Sequence, residues 1–342
     1  MTTDRFAFGG SLAARLLGFA ACLASTDAGA GAPTENGRFV NAENRHIEAG
    51  LDVTIPFFLR KAWTSVIGRP GAAPRVPFDR GILEGSNPTV TWIGHATMLV
   101  RMGGMAFLTD PMFSEYASPV PMLGPGRLQA PGATIDELGR IDFVTLSHNH
   151  YDHADLPSIQ ALAAKGVRFI VPLGVGELVR SAGGEAIELD WWQSVKIGAL
   201  TVNCVPAQHF SRRGALDGDR TLWAGWVVED GTRRFYHTGD TGYFGGFAEI
   251  GRRFGPIDLA AVPIGAYEPQ AMMHTVHVNP EEAVQIALDV GAKAVLATHY
   301  GTFDLADEPV DEPPRRFAAE ATRRGIGPER AWVIPIGETR HW

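Results

Sequence analysis

The run Ser147-His148-Asn149-His150-Tyr151-Asp152-His153 sets three imidazoles and a carboxylate directly behind the β-rich stretch Asp142 to Leu146. Histidine nitrogen and carboxylate oxygen are the donors that borderline divalent metals prefer. Side chains two apart in an extended segment project to the same side, so His148 and His150 can meet one ion. The chain then turns, and Asp152 with His153 faces a second ion. Three further donors stand where strand-like runs end: His209 after Thr201 to Pro206, Asp240 after Phe235 to Gly239, and His299 after Val295 to Thr298. Ligands of α/β sheets gather at the C-terminal ends of strands, and this shared placement groups the three with the motif. One consistent assignment gives His148, His150 and His209 to one ion and Asp152, His153 and His299 to the other, with Asp240 as the bridging carboxylate. Each ion then keeps an open position for water and substrate, as a catalytic metal requires.

Outward from the motif, strands alternate with helices. Thr89 to Ile93, Met105 to Leu108, Val167 to Val171, Leu200 to Val205 and Ala294 to Ala297 read as strands. Trp223 to Val228 and Arg233 to His237 read as a hairpin around Glu229-Asp230-Gly231. Leu156 to Lys165 reads as a helix, as does Pro280 to Val290, which opens on proline with Glu281 and Glu282 in its first turn. Leu305 to Pro314 is acidic and proline-rich and reads as a surface loop. This alternation predicts a layered α/β fold. The chain has 342 residues, 45% hydrophobic and 20% charged, enough for a sizeable core. Its net charge of −8 and lack of a long basic block argue against nucleic acid as a partner. Two cysteines exclude a cysteine-based zinc finger and a disulfide scaffold.

Residues 1–32 differ from the rest. Phe6 to Ser25 is mostly small and apolar, and Ala28-Gly29-Ala30 fits a cleavage site. The expectation is a signal peptide and export to the periplasm or a membrane surface, with a lipid anchor on Cys22 and an unprocessed cytoplasmic protein as alternatives. Leu51 to Ile67 carries Ile55, Phe57, Phe58, Leu59 and Trp63 beside Arg60 and Lys61, with Pro56 in its first turns. It reads as a helix that either packs on the core or touches lipid.

The His-x-His-x-Asp-His motif with His209, Asp240 and His299 resembles the metallo-β-lactamase superfamily, and more closely its branch of N-acyl-phosphatidylethanolamine-hydrolysing phospholipase D. Ordered segments carry the likeness from Gly37-Arg38-Phe39-Val40-Asn41 almost to the C-terminus, so that 37–342 forms the hydrolase domain. Among them are Gly94-His95-Ala96-Thr97, Leu108-Thr109-Asp110-Pro111, Gly239-Asp240-Thr241-Gly242-Tyr243 and His299-Tyr300-Gly301-Thr302-Phe303. The resemblance implies an αβ/βα sandwich of two β-sheets flanked by helices, with a dinuclear site at one edge. It implies two zinc ions per chain, with iron and manganese also suited to the donors. It further implies a phospholipid or other phosphodiester substrate, peripheral contact with a membrane and, as one open assembly, a homodimer.

In that setting a hydroxide held between the ions attacks phosphorus in line. Asp152 orients it, and His277 hydrogen-bonds a phosphoryl oxygen or protonates the leaving group. His95 and Asp110 orient ligands, and Tyr151, Arg212, Arg213 and His277 meet the substrate. Two stretches depart from the family: Val276-His277-Val278-Asn279-Pro280 replaces a Gln-His-Val-Asp-Pro sequence, and Val120, Pro121, Met122 and Leu123 replace polar and aromatic residues. Both departures lie around the substrate pocket. A lactonase or β-lactamase activity, and a non-catalytic lipid-binding protein on the same fold, are the competing expectations.

Overall fold

A computed structural model of the chain describes residues 23–24, 31–43, 49–68, 71–85, 88–120 and 124–342. The leader, apart from its last two residues and a short strand at Leu23–Ala24, lies outside them, as do Cys22, Pro121, Met122 and Leu123.

Elements are numbered in chain order. The first sheet runs β17 (Thr339–His341), β4 (Thr89–Gly94), β5 (Thr97–Met102), β6 (Met105–Thr109), β7 (Phe143–Thr145), β8 (Arg168–Pro172), β9 (Glu185–Leu189). The second runs β1 (Leu23–Ala24), β10 (Ser194–Ile197), β11 (Leu200–Val205), β12 (Gly225–Glu229), β13 (Arg234–His237), β14 (Leu259–Pro263), β15 (Ala294–Thr298), β16 (Ala331–Trp332). Thr34–Glu35 and Arg38–Phe39 (β2, β3) form a small ribbon. Both sheets are mixed: hairpins pair β4 to β5 and β5 to β6 antiparallel, whereas β6, β7, β8 and β9 run parallel. In the second sheet the chain runs antiparallel from β10 to β13 and parallel from β13 to β16.

Period-two alternation in the first sheet explains the layers, since successive strand side chains face opposite sides. Met98, Val100, Phe107, Phe143 and Ile170 point into the core shared with the second sheet, where they join Val202, Trp226, Val228 and Phe235. Phe107 stacks on Phe143 at 4.8 Å and meets Phe235 edge-on at 5.9 Å, which locks the sheets face to face. Their neighbours Leu99, Leu108, Val144, Phe169 and Val171 face outward, under Ile159 and Leu162 of α2 (Leu156–Ala164) and Val179 of α3 (Gly176–Ser181). The far face of the second sheet is covered by α4 (Gly246–Phe254), α6 (Pro280–Asp289) and α7 (Glu312–Arg323), which bury Phe247, Val284 and Phe317. Helices outside two stacked sheets give the expected αβ/βα sandwich. Two more helices, α1 (Leu51–Ile67) and α5 (Gln270–Met273), meet each other beside the strand ends.

One local expectation is corrected. The proline-rich stretch read as loop to Pro314 is already helix from Glu312. Pro313 and Pro314 sit in the first turn, where a missing N–H costs no hydrogen bond and the fixed φ suits the helix.

Candidate metal centre

All seven expected ligands come to one end of the sandwich. β7 delivers the motif, β11 leads to His209, β13 to Asp240 and β15 to His299; β4 and β6 supply His95 and Asp110. His95, Asp110 and His299 hold positive φ of 54°, 34° and 60°. Non-glycine residues in that region cost free energy, and such strain clusters at functional sites. Gly239 at φ 64° admits the close approach the site needs: a Cβ there would stand 2.8 Å from both Ala224 O and the Ser147 side chain.

Hydrogen bonds fix which nitrogen each ring turns inward. The Ser147 hydroxyl donates to Asp110 Oδ2 at 2.6 Å, so it accepts from His148 Nδ1 at 2.8 Å. His209 Nδ1 donates to the Val276 carbonyl at 2.9 Å, and His153 Nδ1 donates to Asp110 Oδ2 at 2.8 Å. The Nε2 atoms of all three rings are therefore left to face the centre. Such outer partners set the tautomer and raise the basicity of a metal-binding imidazole. His148 Nε2 stands 2.8 Å from His150 Nδ1, and His209 Nε2 stands 3.2 Å from that same atom, so these three converge. On the other side, His153 Nε2 and His299 Nε2 are 3.3 Å apart, and each is 3.1 Å from Asp240 Oδ2. Asp152 Oδ2 is 3.4 Å from His153 and 3.7 Å from His299, and His95 Nε2 holds the same oxygen at 2.9 Å. Asp240 also groups with His148, and with His209 and His277. It is thus the one carboxylate that both sets share.

Electrostatics fit the same reading. Burial, reinforced by neighbouring histidines, holds His148 and His209 well below the ordinary imidazole value. Burial lowers His150 to about 4 and His95 to about 3. For His299 burial opposes the charge, yet Asp240 and Asp152 outweigh it and raise the group to about 9; His153 is raised well above its usual value in the same way. Asp152 and Asp240 stay ionised despite burial because of these rings. One set thus presents neutral lone pairs and the other demands positive charge, which protons or a divalent cation can supply.

A cavity of about 490 Å³ opens onto this centre. His150, Asp152, Asp240 and His277 lie at its base, Arg212 on its side, and Leu51, Phe58, Phe210, Met272 and Leu305 on its walls. His277 Nδ1 is buried without a hydrogen-bond partner, 3.9 Å from Asp240 Oδ2, and burial lowers the ring to about 4. Tyr151 and Arg213 are not on the cavity wall. Arg213 lies over the Tyr151 ring at 3.9 Å and donates to the Asn149 and Ala154 carbonyls, while the Tyr151 hydroxyl donates to the Arg213 carbonyl. The expected substrate contacts thus become a brace on the motif loop, because these polar groups are already satisfied there.

Sequence reading missed Asn41, Ser147 and His237. Asn41 accepts from His209 N and donates to His209 O, holding that residue's backbone by both ends. His237 is buried 3.9 Å from Asp110. Each is an ordinary residue in sequence, and only its neighbours give it a role.

A family model described as a β-lactamase superfamily domain matches residues 106–300, more than half of the chain. The chain belongs to the metallo-β-lactamase superfamily. It is a metal-dependent hydrolase of that superfamily. It is 41% identical over 273 residues to an uncharacterised protein of Mycobacterium tuberculosis, covering 76% of this chain and 72% of that one. It is 35% identical over 285 residues to N-acyl-phosphatidylethanolamine-hydrolyzing phospholipase D 1 of Caenorhabditis elegans, covering 72% of this chain and 80% of that one. Among solved structures, the metallo hydrolase Igni18 of Ignicoccus hospitalis superposes with a TM-score of 0.59 at 20% identity, over 75% of this chain and 99% of that chain, a likeness of fold.

Proposed function

We propose that this superfamily member is a phosphodiesterase of phospholipase D type, acting on N-acyl-phosphatidylethanolamine-like phospholipids. The observation that carries the reading is the cavity: one space touches the metal-ligating residues, a guanidinium and an apolar wall. An N-acylated phospholipid presents the matching groups: an anionic phosphodiester and acyl chains. The similarity to the nematode enzyme supports the same reading.

Two divalent ions, zinc with iron or manganese as alternatives, fit the donors. His148, His150 and His209 would hold one, Asp152, His153 and His299 the other, and Asp240 both. Bound there, they would acidify a water and withdraw charge from a phosphoryl oxygen. The protein's own groups do the rest. Asp152, held by His95, accepts a hydrogen bond from the attacking water and aligns it. His277, kept neutral by burial, donates its N–H to a phosphoryl oxygen, an interaction that strengthens as charge builds. Arg212 pairs with the anionic phosphodiester of the head group. Water oxygen bonds to phosphorus, the bond from phosphorus to the ethanolamine oxygen breaks, and the leaving oxygen takes up the proton that the water gives up. The products are phosphatidic acid and an N-acylethanolamine.

Helix α1 gives the substrate a route. Leu51, Ile55, Leu59 and Trp63 are 73%, 52%, 66% and 64% exposed, with Phe58 between them, and the cavity opens beside Leu51 and Phe58. These positions form one helical stripe, the pattern of a surface that enters the lipid interface. Arg60 and Lys61 pin the helix through Asp307 and Asp304. We place the protein at an exported, membrane-facing location after cleavage behind Ala30, which takes the two-residue edge strand β1 with it; the intact mass of secreted protein tests this.

Lipid product analysis with metal quantification on one sample tests the activity. Phosphatidic acid release that scales with bound metal is expected. Diacylglycerol release, or turnover of an acyl-homoserine lactone or nitrocefin without phospholipid turnover, refutes it.

A further inference from the structure

A second cavity, of about 440 Å³, lies at the opposite end of the sandwich. Its walls come from the strand ends that point away from the metal centre: the β5–β6 turn at Gly104, Asp142 ahead of β7, Arg168 opening β8, and the β10–β11 turn at Gly198. Six residues of extended chain separate Asp142 from His148, about 20 Å at the strand rise. The metal centre and its substrate cavity share no lining residue with this space. Its volume falls in the range of about 300–1,000 Å³ usual for small-ligand pockets.

The lining is divided by chemistry. Leu83, Met105, Leu138 and Ile197 form an apolar part. Arg101, Arg140, Arg168 and Lys196 bring four cations against one carboxylate, Asp142, in a chain of net charge −8. That carboxylate is already committed. Asp142 Oδ2 accepts from Ala106 N at 2.9 Å, and Oδ1 pairs with Arg140 at 2.6 Å. Arg168 meets Glu185 only at 3.6 Å, and that glutamate is 84% exposed, so solvent screens the pair. Arg101 donates to the Ile82 carbonyl, a neutral partner. Lys196 is exposed and has no ion-pair partner among the described residues.

We propose that this cavity is a binding site for a small anionic amphiphile, an alkyl phosphate or carboxylate. Lys196 and Arg168 meet the anionic head, with Arg101 adding to the field. Leu83, Met105, Leu138 and Ile197 cover the chain. Neither half of such a ligand suffices: an inorganic anion gains little from surface cations in water, and a neutral chain leaves the cations uncompensated.

Calorimetric titration of the metal-loaded full chain with decyl phosphate, below its micelle concentration, tests the site. Inorganic phosphate and decyl maltoside serve as head-only and chain-only probes. The expected result is a saturable decyl phosphate component, apart from any binding at the metal centre, that Lys196→Glu/Arg168→Glu weakens at least tenfold. In that component both control probes bind at least tenfold more weakly than decyl phosphate. Hydrolysis of bis-p-nitrophenyl phosphate stays unchanged in the double variant, which separates this site from the metal centre. Lys196→Ala, at an exposed position, gives a smaller loss in the same direction if the double variant fails to fold. Absence of that component, binding wholly indifferent to these substitutions, or a control probe as tight as decyl phosphate within it overturns the proposal.

Discussion

Asp240 contributes one oxygen, Oδ2, at 3.1 Å from two imidazoles, and its carboxylate also lies within ligand range of His148 and His209. Asp240→Ala removes the donor common to both sets and leaves His153 and His299 without their main counter-charge. Loss of metal and activity together is expected, read by metal quantification beside turnover; retention of both metals refutes the shared role. His277 differs: it lines the cavity and groups with His209 and Asp240, but neither proposed ion draws on it. His277→Ala should leave metal content intact and lower kcat by about 100-fold or more, the size expected for one lost donor to a developing charge. An unchanged kcat removes it from the mechanism. The motif residues were legible because their spacing alone brings donors together. Asn41 was not, because it acts on His209 from 168 positions away. Tyr151 and Arg213 were legible as polar neighbours of the site, but their mutual stacking decides where they point.

Helices are where sequence signals and tertiary outcome part most clearly. The Asn279-Pro280 start of α6 forms a capping box: the Asn279 side chain accepts from Glu282 N, and Glu282 accepts from Asn279 N. Asparagine and aspartate cap about equally well, so this departure from the family pattern keeps the helix start and the rigid approach of His277. Asn279→Ala should cost about 1 kcal/mol, seen as a lower Tm, with metal content unchanged. An unaltered Tm shows that packing alone fixes the helix. Helix α1 was legible as a helix but not as buried or exposed, because its apolar residues run round much of its surface. The structure buries Phe57 and exposes Leu59 and Trp63. Leu59→Asp/Trp63→Asp should weaken sedimentation with anionic phospholipid vesicles at least tenfold while leaving hydrolysis of a soluble diester unaltered. Equal vesicle binding by variant and parent contradicts the lipid-facing role.

For the whole molecule, the buried histidines couple folding to pH. His95, His150 and His277 sit at about 3, 4 and 4 in the folded chain, against 6.5 when unfolded. Between pH 6.5 and about 4 the unfolded chain binds more protons, so stability falls as pH drops through that window. His299, at about 9, acts in the opposite sense: its contribution is full below 6.5 and is lost as pH rises through 9. Metal-stripped protein should therefore melt at a lower temperature at pH 5 than at pH 7, with a further decline toward pH 9.5. A Tm that climbs toward pH 5 contradicts the buried neutral rings. Sequence by itself picked out the candidate donors that converge, the strand–helix alternation and the superfamily, because these rest on local spacing and on residue types that metal chemistry restricts. Tertiary structure decided the tautomers of the clustered histidines, the bracing role of Arg213 and the exposed stripe of α1. It also placed a cationic cavity at the far strand ends. Each of these depends on which side chains from distant segments meet across two sheets. Arg101, Arg140, Arg168 and Lys196 carry no common pattern in the chain, and only the ends of β5, β7, β8 and β10 bring them to one space.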